Sequence, residues 1–201
     1  MRLPAHRRRR QLLDVALGTF ASRGFHATSM AEIAAAAGVT KPVLYQHFTS
    51  KRDLYLELLQ DVSDRLLSAI RVAVEAADHP GQRVEAGFRA YFRFVAEHPD
   101  AFRLLFGSGA RRDEEFAEKV REVEDVIAAA TAAWIEADID DDHRRLLGHA
   151  LVGLAEGTSR HWVAAGLDLD PDLLALRVTD LAWAGLRGIR RVDGPGATVR
   201  P

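Results

Sequence analysis

The chain has 201 residues, of which 48% are apolar and 28% charged, enough for one medium domain or a small module joined to a larger one. The absence of cysteine excludes disulfides, thiol nucleophiles and thiolate metal sites, and no apolar run approaches the ~20 residues that a membrane-spanning helix needs. The net charge of −2 is unevenly spread: residues 1–55 carry nine Lys/Arg against three acids, a local +6 that leaves −8 on the rest.

Almost every segment reads as helix, because strand-like alternation is missing and Gly and Pro fall at natural breaks. The start, MRLPAHRRRR, leads into an amphipathic stretch and not into the apolar core of a secretory signal, so a cytoplasmic protein is expected. Residues 5–23 place Leu12, Leu13, Ala16, Leu17 and Phe20 on one face, with Gly24 as the stop. Ser29 and Glu32 have capping-box spacing and open a short helix to Ala37, after which Gly38 supplies a turn. Thr40 can cap a third helix with Pro42 in its first turn, where a missing N–H costs nothing. Ser50 and Asp53 repeat the cap pattern and begin a long helix to residue 77, broken by His79-Pro80-Gly81. Further helices are expected over 82–98, 100–106, 113–137, 141–165 and 171–192, with a loop at 107–109. The prediction is an all-α chain of nine helices: a helix-turn-helix head at 1–50, a larger body at 51–192 and a frayed tail at 193–201.

A basic head on an acidic body suits a head that meets a polyanion, although an Arg-rich composition produces such an excess by chance equally well. Two short helices around Ala37-Gly38-Val39 match a helix-turn-helix. In the second, Leu44 and Phe48 can anchor to Ile33 and Phe20, leaving Lys41, Pro42, Val43, Tyr45 and His47 on or near the outside. A helix of about eight residues is ~12 Å long, which matches the ~12 Å width of the DNA major groove. Lys41 can then reach a guanine edge or a phosphate, Pro42 and Val43 can pack on thymine methyls, and Tyr45 and His47 suit phosphate oxygens. Thr28, Ser29, Thr40 and Lys51 stand at helix N-termini, which attract phosphate, and Arg7–Arg10 can follow the DNA backbone or enter the minor groove. Each residue also has a plainer role: caps for Thr40 and Ser50, packing for Tyr45, solvated charge for the Arg run. Their coincidence on one short helix, in the one basic part of the chain, is what favours DNA.

The segments Ala21-Ser-Arg-Gly-Phe25, Thr28-Ser-Met, Glu32-Ile-Ala34, Ala37-Gly-Val-Thr-Lys-Pro-Val-Leu-Tyr-Gln-His-Phe48 and Ser50-Lys51 resemble the DNA-binding domain of TetR-family transcriptional regulators, without a gap over residues 8–55. The resemblance implies an all-helical, homodimeric, usually repressing protein whose C-terminal body binds a small molecule. It also implies that Lys41, Pro42, Val43, Tyr45, His47 and Lys51 occupy DNA-contacting positions.

In the body, aromatic residues cluster between Phe88 and Phe106, and Trp134 and Trp162 add to them. Most serve a core, but a cluster so much richer than the surrounding Ala-rich helices also fits an apolar ligand cavity. Phe88, Tyr91, Phe92, Phe102, Phe106, Trp134 and Trp162 are the candidate lining, with Arg160 and His161 either orienting a polar head group or forming a salt bridge. Gly153, Ala155 and Gly157 on one late helix and Ala182, Ala184, Gly185 and Gly188 on the last allow close helix approach. Each helical Gly costs roughly 1 kcal/mol relative to Ala, so a packing gain is expected, either within the chain or in a four-helix interface between two copies. Scattered positions (Phe102-Arg-Leu-Leu-Phe106, Gly153-Leu, His161-Trp162, Ala182-Trp-Ala-Gly185-Leu) are similar to actinobacterial TetR-type regulators of fatty-acid synthesis, which implies a long-chain acyl or acyl-CoA effector. No catalytic or nucleotide motif is present, so no enzyme and no cofactor are expected. The expected partners are operator DNA, a second copy of the chain and an apolar effector, with no membrane. An architectural DNA binder of the same fold, lacking an effector, is the alternative.

Overall fold

Caps and helix breakers delimit nine helices among the described residues, 4–106 and 113–189 of the computed structural model. In chain order they are α1 (Ala5–Ala27), α2 (Met30–Ala36), α3 (Lys41–Tyr45), α4 (Lys51–Glu75), α5 (Pro80–Glu97), α6 (Pro99–Phe106), α7 (Glu114–Ala133), α8 (Asp141–Ala164) and α9 (Pro171–Arg187). Two of the suggested caps form as expected. Ser29 and Glu32 make the reciprocal capping box of α2, and Ser50 Oγ accepts the Asp53 N–H at 3.0 Å at the start of α4. Asp140 and Asp170 likewise accept the first free N–H groups of α8 and α9. Thr40 departs from expectation, since its hydroxyl makes no cap bond to α3.

Three boundaries move for identifiable reasons. Gly24 does not stop α1: it breaks the helix with φ 79° and the helical path resumes through Ala27. α7 ends at Ala133 and not at 137, because Arg144 from α8 donates to the carbonyls of Ile135, Ala137 and Ile139, so these oxygens need no further helical turn. α9 ends at Arg187, with Gly188 N donating to Gly185 O. The predicted loop at 107–109 and tail at 193–201 lie outside the described residues.

The described residues fall into two compact units that change over at Leu66/Leu67, Ala96/Glu97 and Val123/Glu124, within α4, near the end of α5 and within α7. In the first unit α1 packs against α6 and α2, and α2 against α3. Its interior holds Leu12, Ala16, Phe20, Ile33, Leu44, Phe48, Leu54 and Leu58, all 3% exposed or less. The second unit is built from the end of α4, α5, the end of α7, α8 and α9. Gly148 is a point of very close helix approach there: a Cβ on it would collide with the Ala128 carbonyl, so α8 sits on α7 only because this position lacks a side chain.

Candidate functional sites

α3 is positioned from beneath. Leu44 and Phe48 are sealed in the head core, and Gly38, at φ 65°, makes the left-handed turn that leads from α2 into α3. Only Lys41–Tyr45 is regular helix, but His47 N and Phe48 N both donate to Leu44 O, so helical turns continue to the anchor. Lys41, Pro42, Tyr45 and Gln46 are exposed on this segment, and Val43 and His47 are half-buried. Lys41 Nζ lies 5.8 Å from the Tyr45 ring centroid, which sets a cation over the face of an exposed phenol ring. Thr40 is exposed with its hydroxyl uncommitted to a cap, which leaves it open to a phosphate oxygen. Gln46, for which the sequence suggested no role, joins the exposed set, and an amide matches the edge of adenine.

Two residues expected at phosphate have internal duties instead. Thr28 is 2% exposed and its hydroxyl donates to Gly24 O at 2.8 Å. Lys51 Nζ donates to Phe25 O at 2.7 Å and Thr28 O at 2.8 Å, and stands 4.3 Å over the Phe25 ring. The reason is the break at Gly24: the interrupted end of α1 leaves carbonyls that a cation at the start of α4 can satisfy. Ser29 is exposed but closed into its capping box with Glu32, whose carboxyl is held below its usual range by the Ser29 N–H and hydroxyl and by Arg23. The Arg run is also largely engaged. Arg8 donates to Gln11, and Arg10 pairs with Asp14 and Asp61. Arg9 pairs with Glu57, donates to His47 O at 2.7 Å and lies 4.6 Å over Phe48, tying α1 to the end of the α3 turn. Arg7 remains exposed.

The aromatic candidates of the body separate. Phe88, Tyr91 and Phe92 line one face of α5 and are buried in the second unit, where Trp162 from α8 meets Phe92 edge-on at 6.1 Å. Phe92 also contacts Phe88 at 6.1 Å and Tyr91 at 5.4 Å, so it is the hub of the group. The indole N–H of Trp162 donates to Leu169 O at 3.0 Å, which fixes the ring's orientation. Phe102 and Phe106 belong to the first unit, paired with each other at 5.2 Å on α6, and Trp134 lies half-buried just beyond α7. The structure thus brings together four of the seven residues. Arg160 pairs with Glu156 on its own helix, and His161 is exposed. Ser159, buried at 0% exposure on the face of α8 that carries Ala155 and Trp162, is a residue that sequence reasoning missed; its four-residue spacing from Ala155 was the available signal.

Two families of known proteins match parts of the chain. A family described as bacterial regulatory proteins, tetR family, matches residues 12–58, and the family of tetracyclin repressor-like C-terminal domains matches residues 80–185. The HTH-type transcriptional activator FasR of Mycolicibacterium smegmatis is 35% identical over 187 residues, covering 92% of this chain and 85% of FasR. The HTH-type transcriptional repressor KstR2 of Mycobacterium tuberculosis is 31% identical over 184 residues, covering 91% and 82%. A TetR-like transcriptional regulator from Rhodococcus sp. RHA1 superposes with a TM-score of 0.77 at 31% identity, covering 94% of this chain and 100% of that one. Bacillus subtilis FadR, solved in complex with stearoyl-CoA, has a TM-score of 0.77 at 18% identity over 90% of this chain and 99% of its own, and so shares the fold. Head and body each match their own part of one family, and the relatives that match along nearly the whole chain regulate transcription: the chain belongs to the TetR family of DNA-binding transcriptional regulators and is not an enzyme.

Proposed function

We propose that the protein is a cytoplasmic repressor that binds an inverted-repeat operator as a homodimer and responds to an apolar effector, for which long-chain acyl groups, free or as CoA thioesters, are the first class to test. The observation that carries the reading is the α3 segment, with Lys41, Pro42, Tyr45 and Gln46 outward over a buried Leu44–Phe48 anchor. Among the relatives FasR is an activator and KstR2 a repressor; repression is assigned because an operator-bound dimer obstructs polymerase without any further contact surface. Switching between mostly bound and mostly free requires the effector to prefer one state by about 5.5 kcal/mol. Phe88, Tyr91, Phe92 and Trp162 are the proposed effector-contacting group.

Support for the dimer comes from α8 and α9. Leu146, Leu173, Leu176 and Leu181 are 40–66% exposed. A Cβ added to Gly153, Gly157 or Gly185 would meet open space beyond its own helix, so close packing among the described residues does not explain these glycines. A second copy across a two-fold explains them. Leu181→Arg is expected to turn a dimer into a monomer in sedimentation at micromolar concentration, and to abolish binding to the full inverted repeat. A wild-type monomer would defeat the proposal. Selection of bound DNA from a random pool tests the operator: an enriched inverted repeat is the expected result. Salt-sensitive binding with nothing enriched would favour an architectural role, a second reading that draws on the close burial of the α5 rings.

A further inference from the structure

Three of the buried polar groups that DNA binding leaves unexplained are hydroxyls. Tyr91 Oη, Ser159 Oγ and Thr179 Oγ1 in the second unit are enclosed by protein and complete no hydrogen bond, in residues that are 5%, 0% and 7% exposed. Native interiors rarely tolerate this, since an unpaired buried hydroxyl costs stability that a phenylalanine or alanine in its place would not. Tyr91 and Ser159 face one another from α5 and α8, close enough for Ser159 to act on the phenol, yet without the distance and angles of a hydrogen bond. Tyr91 meets the Phe92 ring edge-on, and Ser159 lies three residues before Trp162 on the same face of α8.

We infer that Tyr91 and Ser159 form the polar subsite of the effector site and donate to a neutral carbonyl oxygen on an otherwise apolar ligand. The inference rests on the reading that the body binds an apolar effector. The rings of Phe88, Phe92 and Trp162 supply the apolar wall, and the two hydroxyls supply donors that the fold itself does not use. Burial holds the phenol protonated, as a donor. A carboxylate head group would lose its hydration in this buried, ring-lined place, whereas an ester, thioester or ketone oxygen carries no charge to desolvate.

The test is titration of the intact protein with methyl palmitate, palmitate and hexadecane presented in cyclodextrin, read by tryptophan fluorescence and thermal shift. Tyr91→Phe and Ser159→Ala are each expected to weaken methyl palmitate about tenfold, the size of one hydrogen bond. They should leave hexadecane binding unchanged and should not lower the melting temperature of the unliganded protein. A lowered melting temperature with unchanged methyl palmitate affinity would make the pair a structural contact and overturn the inference. Palmitate binding as tightly as its ester would overturn the assignment of a neutral carbonyl. If none of the three probes binds the wild type, the effector reading itself falls and takes the inference with it.

Discussion

Phe116→Ala is expected to cost about 3–5 kcal/mol of stability, the range for deleting a buried aromatic ring. Phe116 is 1% exposed in the first turn of α7 and is where that helix joins the head. Its ring centroid lies 4.7 Å from Phe25 and 4.4 Å from Tyr55, and the Arg52 guanidinium covers it at 4.7 Å. Arg52 in turn grips Asp113 through two hydrogen bonds of 3.1 and 2.7 Å and pairs with Glu115. Removing the ring opens a cavity against the end of α1 and the start of α4, the same place where Lys51 satisfies the loose carbonyls of α1. Phe116→Leu, which keeps most of the volume, should cost much less. Urea unfolding of both variants checks this, and a cost under about 1 kcal/mol for alanine would mean that α7 contributes little to holding the head.

The same clamp has a predictable response to acid. Arg52 is the main cause holding the Asp113 carboxyl below its usual range. A carboxyl depressed in the folded state stabilises fully above its unfolded value of about 3.9, and that contribution disappears as pH falls through the folded value. Asp113→Asn should therefore lower the unfolding midpoint at pH 7 and narrow the gap between variant and wild type toward pH 2. A gap independent of pH would show that the ion pair is not what stabilises the α7 start.

The combined change Lys41→Ala and Tyr45→Ala is expected to weaken operator binding by about a hundredfold or more, because each specific interaction with a base or phosphate is worth about 1–3 kcal/mol. The melting temperature should stay nearly unchanged, since both side chains are exposed. The single variants separate the roles. If Lys41 reads a base edge, Lys41→Ala relaxes preference at one operator position; if it holds a phosphate, all sequences weaken alike and the salt slope falls by about one. Lys51→Met supplies the contrast. With its ammonium bound to Phe25 O and Thr28 O, removing it should lower the melting temperature first and DNA affinity only as a consequence. Anisotropy titrations at two salt concentrations, beside melting curves, distinguish these outcomes. A Lys41/Tyr45 variant that still binds the operator at wild-type affinity would remove α3 from the interface.

Helical content, most break positions and the family were legible in the chain alone, because these depend on local matters: Gly and Pro placement, cap spacing at Ser29 and Ser50, and apolar periodicity. The free face of α3 was legible too, since Leu44 and Phe48, four residues apart, must point the same way. Which polar groups remain available depended on packing. Thr28 and Lys51 carry the same signature as a phosphate contact whether or not a neighbouring helix claims them, and here the interrupted end of α1 claims both. Likewise, aromatics close in sequence read as one cluster. In the fold, α6 packs on α1 and carries Phe102 and Phe106 in the first unit, while Phe92 in the second is met by Trp162 from seventy residues away. Ser159 and Gly148 show the same limit most plainly. A small residue in a helix says only that something can come close, and which atom does so is set by the neighbour across the contact.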